Sequence, residues 1–135
     1  ARNAGVITAE EFAVFQNAGY MGLYGGMTVD DIHRKKNLEV GQKILDYMGS
    51  TELIANLFRI SQTEEKLRKD RISNSDSASA VHYKVGSEVR EAIEKIGGTM
   101  PEDLPTPEKS IAQLEKEQLQ RLKQQALDGQ LMLDE

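Results

Sequence analysis

Two histidines, two adjacent carboxylate pairs, one glycine-dense segment and two basic clusters are the groups in this chain that invite a chemical reading. His33 adjoins Arg34-Lys35-Lys36, and His82 precedes Tyr83. Neither is followed by a second ligand at the i+3 or i+4 spacing of a helical metal motif. Both read as surface or hydrogen-bonded histidines. Glu10-Glu11 and Asp30-Asp31 are adjacent, and adjacent helix residues do not face each other. Neither pair makes an acid–base site by itself; both suit a helix start, where the macrodipole favours negative charge. Gly19–Gly26 holds four glycines in eight residues. It lacks the Lys-Ser/Thr of a phosphate loop, and no strand precedes it, so it reads as a structural corner. With no cysteine in the chain, thiolate catalysis, disulfides and cysteine-based metal sites are excluded. The residues support no enzyme, no cofactor and no metal site. A nuclease-type reading would have to rest on Asp30, Asp31 and His33.

Charge narrows the binding classes. The net charge is −5. Residues 1–75 carry ten basic and ten acidic side chains, whereas residues 76–135 carry seven and twelve. A nucleic-acid-binding domain usually has a basic excess on one face. Two local clusters still offer cations to a phosphate backbone: Arg34-Lys35-Lys36, and Arg59, Lys66, Arg68, Lys69 and Arg71 along one helix. Cations at a helix end are also favoured by the macrodipole alone. There is no Trp, and Tyr20 and Tyr24 are the candidates for a base-stacking platform, although core packing suits them better.

These groups must be positioned by helices. Thr8-Ala9-Glu10-Glu11 is a capping box opening a first helix, which Gly19–Gly26 then breaks. Thr28-Val29-Asp30-Asp31 opens a short second helix ending near Lys36-Asn37. Val40, Ile44, Leu45 and Met48 predict a third helix over 38–48, closed by Gly49. Ser50 caps a fourth, running to about Arg71, whose stripe of Leu53, Ile54, Leu57, Phe58 and Ile60 marks it as the central core helix. Val81, Val85, Val89, Ile93 and Ile96 predict a fifth from about Ser79 to Ile96, stopped by Gly97-Gly98. Residues 99–107 contain all three prolines and predict a rigid, extended linker. Thr106-Pro107-Glu108 then starts a sixth helix to Leu127 or Asp128 with a thin stripe of Ile111, Leu114, Leu119, Leu122 and Ala126.

The class is therefore all-α: a compact bundle of about five helices over 1–98, a Pro-rich linker over 99–107, and a partly extended C-terminal helix and tail over 108–135. No apolar run approaches the ~20 residues of a membrane span. The start, Ala1-Arg2-Asn3, has no Met and no signal-peptide pattern, which predicts a piece from inside a longer, cytoplasmic protein.

Several ordered phrases carry a resemblance. They are Gly19–Gly26, Asp31-Ile32-His33-Arg34-Lys35-Lys36, the run from Lys43 to Arg59, Gln62-Thr63-Glu64-Glu65-Lys66-Leu67, and Gly97-Gly98-Thr99-Met100-Pro101-Glu102-Asp103-Leu104-Pro105-Thr106-Pro107. Together they resemble the C-terminal half of the DNA-damage-inducible protein D family, over roughly Ala4 to Leu114. In that family a domain similar to the BRO-type domains of phage antirepressors lies upstream. Residues from Glu115 onward do not resemble the family's common core. The resemblance implies a bacterial SOS-response protein, with the RecA recombinase filament on single-stranded DNA as leading partner, and it carries over no catalytic residues.

Two binding readings follow. In the first, the chain is a regulatory module that docks on a repair protein through the linker and last helix, with Glu102, Asp103, Glu108, Glu115 and Glu117 as the acidic surface. The competing reading of that helix is packing on its own bundle or on a second copy, as a homodimer. In the second, Arg59, Lys66, Arg68, Lys69 and Arg71 bind nucleic acid directly, with steep salt dependence.

Overall fold

The computed structural model describes residues 7–129. The chain is all-α, with no strand among the described residues. Its helices are α1 (Ala9–Leu23), α2 (Val29–Lys35), α3 (Ser50–Lys69), α4 (Ser75–Ile96) and α5 (Ile111–Leu127). The predicted tail over 130–135 lies outside the described residues.

The helix starts follow from local chemistry. Thr8 and Thr28 each accept a backbone hydrogen bond, from Glu11 and Asp31, whose carboxylates return the bond to the cap backbone. These capping boxes satisfy donors that a helix start leaves unpaired. Three boundaries differ from expectation. Gly49, not Ser50, is the cap of α3. Asn74 caps α4 and starts it at Ser75, ahead of Ser79. Ser110, not Thr106, caps α5, and the Thr106 hydroxyl accepts from Lys36 Nζ at 3.3 Å.

The glycine-dense segment does not break α1 where expected. The helix continues through Gly19 and Gly22 to Leu23, and the chain turns at Gly25 and Gly26. Gly22 and Gly86 let α1 and α4 approach backbone to backbone, and Gly19 leaves room for the His82 and Arg59 side chains. A Cβ on Gly86 would lie 2.7 Å from the Gly19 carbonyl oxygen, and one on Gly22 would collide with the Tyr83 carbonyl. Packing thus outweighs the roughly 1 kcal/mol by which glycine disfavours a helix interior. Tyr20, Leu23 and Tyr24 pack inward as the sequence suggests.

The predicted helix over 38–48 is not an α-helix. Asn37 takes φ 57° and ends α2, and Gly41 takes φ 89°. Between them, Val40 is fully exposed. The Gln42 side chain accepts from the Glu39 N–H at 2.7 Å and donates to the Tyr47 hydroxyl at 3.0 Å, an alternative to helical bonding. A single 3₁₀ turn, Ile44–Asp46, delivers Ile44 and Met48 to the core.

The Pro-rich segment is not wholly extended. Pro101–Asp103 forms a 3₁₀ turn with Pro at its first position, where a missing N–H is harmless. Pro101 itself is fully buried. α5 leaves the bundle with no buried residue.

Candidate functional site

The largest departure from the sequence reading lies in α3. Most of its apolar stripe faces water: Ile54, Leu57 and Phe58 are 66%, 50% and 54% exposed, while Leu53 packs against the core and Ile60 is half-buried. The face turned inward is Glu52, Asn56, Arg59, Thr63 and Leu67. That spacing also follows one helical stripe, but four of its five members are polar.

These side chains join into a polar spine through the bundle. Lys36 Nζ donates to Glu52 Oε1 at 2.9 Å and to the Tyr47 carbonyl at 3.0 Å. The Tyr24 hydroxyl donates to Glu52 Oε2 at 2.5 Å. Asn56 Nδ2 donates to the Tyr24 hydroxyl at 3.0 Å. Arg59 Nη2 donates to Asn56 Oδ1 at 2.7 Å, and Arg59 Nη1 lies 2.6 Å from His82 Nε2. His82 Nδ1 lies 2.9 Å from the Phe15 carbonyl. α1, α2, α3 and α4 each contribute to this path or reach it.

The geometry fixes the His82 tautomer. A guanidinium only donates and a carbonyl only accepts, so Nε2 accepts from Arg59 and Nδ1–H donates to Phe15. Burial, and then the Arg59 charge, push the His82 pKa down to about 4, so it is neutral near pH 7. Burial, reinforced by the Glu52 hydrogen bond, raises the Tyr24 phenol above its ordinary value. Burial raises Tyr20 as well, against the pull of Arg59, whose guanidinium sits 4.5 Å from the Tyr20 ring centroid. The spine thus holds a histidine that is neutral near pH 7 and a tyrosine that stays protonated.

The sequence-predicted sites divide accordingly. Arg59 is 2% exposed and belongs to the spine, recessed from Lys66, Arg68, Lys69 and Arg71, which are exposed at the end of α3. Lys66 pairs with Asp70 at 2.6 Å. In the other basic run, Lys36 is buried against Glu52 and Arg34 pairs with Asp31 at 2.6 Å. Glu102 does not present a free carboxylate; Arg90 holds both of its oxygens at 2.8 Å. Burial raises the Glu102 pKa, but the Arg90 hydrogen bonds and charge outweigh it and hold the group below the ordinary range. Glu117 bonds Lys109 at 2.7 Å and Gln113 at 3.1 Å. Asp103, Glu108 and Glu115 remain exposed. Asp30 is exposed, and Asp31 serves as the capping partner of Thr28. His33 Nε2 lies 2.9 Å from the Gln42 carbonyl. Among the described residues no group of three or more His, Asp or Glu side chains is placed to hold a metal ion. No described helix is long and apolar enough to cross a membrane.

Residues 1–114 match the family model of the DinD C-terminal domain. The chain belongs to this family. It is 58% identical over 115 residues to the DNA damage-inducible protein D of Escherichia coli (strain K12), covering 85% of this chain and 42% of that relative. The chain thus spans less than half the length of the relative. No solved structure matches it. The DinD C-terminal domain match takes in α1 to α4, the spine and the Pro-rich segment, and it ends in the first turn of α5. The last three turns of α5 lie beyond it.

Within this DinD C-terminal domain, sequence reasoning overlooked Glu52, Asn56, Thr63 and His82 as a connected set. The available signal was their period: Glu52, Asn56, Arg59 and Thr63 recur at spacings of four, three and four.

Proposed function

We propose that this chain is a non-enzymatic docking module of a bacterial DNA-damage-response protein, and that its partner is a repair protein, foremost the RecA-type recombinase filament. The relative's name, DNA damage-inducible protein D, supports the physiological setting. One structural observation carries the docking role. Ile54, Leu57 and Phe58 form an apolar patch on the outer face of α3, whose inner face is already buried in the bundle. Exposed apolar groups at i, i+3 and i+4 serve a contact rather than the core. Asp103, Glu108 and Glu115 supply carboxylates that steer the module toward a basic partner.

Direct nucleic-acid binding is the second reading, and Lys66, Arg68, Lys69 and Arg71 would carry it without Arg59. Anisotropy of labelled single-stranded DNA separates the two. The chain is titrated into bare DNA and into RecA-coated DNA at low and physiological salt. Docking predicts binding to the coated filament alone, weakened about tenfold or more by Phe58→Ser. Salt-sensitive binding to bare DNA, abolished by reversing Arg68 and Arg71, would replace it with the second reading. Binding to neither form would remove both.

A further inference from the structure

Arg59 is a buried cation with no anion beside it. Its hydrogen bonds go to His82 and Asn56, both neutral. They use two of the five N–H donors of a guanidinium, and Nε has no partner. The ion pairs of the described residues do not include Arg59; the Glu52 carboxylate on the same face of α3 is held by Lys36 and Tyr24. The Tyr20 ring, 4.5 Å away, offsets part of the charge, but a buried cation without a counter-anion remains costly.

Arg59 is among the residues lining a groove of about 650 Å³ between α1 and the C-terminal half of α3. Phe12, Phe15, Leu67 and Ile72 give the groove apolar walls. Arg68 and Arg71 stand on it as exposed cations, and Glu64 is the one acidic lining residue. The outward patch of Ile54, Leu57 and Phe58 belongs to a different face of α3 and does not line it.

We infer that this groove is a binding site for an acidic protein segment carrying an apolar side chain, with a carboxylate of that segment directed to Arg59. Charge complementarity selects an anion: three arginines line the groove against one glutamate. The recessed position of Arg59 and the two phenylalanines select a peptide over a nucleic-acid backbone, which follows exposed cations along a surface. An apolar anchor in the walls and a carboxylate on a desolvated arginine is the usual composition of a protein–peptide hot spot. The inference shares with the docking proposal only the premise that the occupant is protein. It does not depend on which repair protein binds.

The test uses the full chain and a fluorescein-labelled peptide of consecutive aspartates ending in phenylalanine with a free carboxylate. A counterpart with asparagines and an amidated end is the control, and an oligothymidylate is the nucleic-acid probe. The aspartate peptide is expected to bind saturably in the micromolar range, and the control at least about tenfold more weakly. The rim variant R68E/R71E, at exposed positions, is expected to weaken the aspartate peptide about tenfold with an unchanged circular dichroism spectrum. In ¹⁵N-labelled protein the Arg59 Nε–H resonance, assigned by its loss in Arg59→Lys, is expected to shift on peptide addition. Absence of saturable binding to about 1 mM, equal binding of the two peptides, or an unmoved Nε–H resonance would overturn the inference. So would oligothymidylate binding that the rim variant abolishes while the peptide fails to bind. Peptide binding without filament docking would remove the recombinase as partner and keep the groove; the reverse would remove the groove alone.

Discussion

Arg90 grips Glu102 with both terminal nitrogens, Nη1 to Oε1 and Nη2 to Oε2, each at 2.8 Å. The same Nη1 donates to the Leu23 carbonyl at 3.1 Å, so one guanidinium ties the end of α1 and the Pro-rich turn to α4. Gly25 makes room for it: a Cβ there would lie 2.9 Å from Arg90 Cζ, and the residue has φ 67°. The linker is positioned by side chains as well as by its prolines.

The clamp has a measurable coupling. Glu102→Gln is expected to lower stability by about 1–2 kcal/mol at pH 7, because charge-assisted, bidentate bonds exceed neutral ones. Glu102 has a depressed pKa in the fold, so its contribution is present above the ordinary carboxylate range and lost as pH falls through the folded value. A double-mutant cycle with Arg90→Met in urea checks it; additive effects would mean that the pair is not coupled.

Gly86→Ala separates propensity from packing. Propensity alone favours alanine by roughly 1 kcal/mol. The close approach of Gly19 and Leu23 backbone atoms reverses the sign, and a loss of about 2–4 kcal/mol is expected. A thermal melt that rises in the variant would contradict the α1–α4 crossing.

His82 makes stability depend on pH. Its folded pKa, about 4, lies below the ordinary 6.5, so the unfolded chain binds the proton first. Stability is therefore complete above about pH 6.5 and falls as pH drops toward 4, by up to roughly 3 kcal/mol from this group. Urea unfolding at pH 7 and pH 4.5, for the native chain and His82→Gln, checks it. The variant is expected to lose much of the difference, and an imidazole titrating near its ordinary pKa by NMR would refute it.

In α3 the usual rule for core mutations is inverted. Phe58→Ser is expected to change stability by no more than about 0.5 kcal/mol, since the ring is exposed. Asn56→Ala, which strands Arg59 and Tyr24, is expected to cost about 2–3 kcal/mol. Chemical denaturation of both variants decides the matter; equal losses would place the apolar stripe inward.

α5 is expected to be dispensable for folding. It has no buried residue, while Leu114, Leu119 and Leu122 are exposed along it. Ending the chain after Lys109 keeps the Lys36–Thr106 contact and is expected to leave the melting temperature within about 2 °C at low concentration. Sedimentation of the native chain and Leu119→Glu tests the homodimer reading: a dimer dissociated by the variant would place self-association on this helix.

Capping signals made the starts of α1 and α2 legible. Thr8 with Glu11 and Thr28 with Asp31 are local pairs, and no distant contact is needed to read them. The same locality misled at residues 38–48, where an apolar period of four is produced by a loop that buries Ile44 and Met48 and leaves Val40 in water. Ile96 likewise completes the α4 stripe in sequence but lies past the core, exposed beside Gly97.

The amino-acid sequence by itself determined the all-α class, the approximate spans of the four bundle helices, the caps of α1 and α2, the absence of thiol chemistry, and membership of the family. These rest on backbone propensity, side-chain reach over three or four residues, and ordered phrases. Only the tertiary structure decided which face of α3 is inside. Hydrophobicity assigns Leu57 and Phe58 to the core and Glu52, Asn56 and Arg59 to water. The fold reverses this because Lys36, Tyr24 and His82, from three other parts of the chain, satisfy the polar face. A buried polar group is tolerated only when its partners are in place, and those partners are named by three-dimensional proximity, not by spacing along the chain.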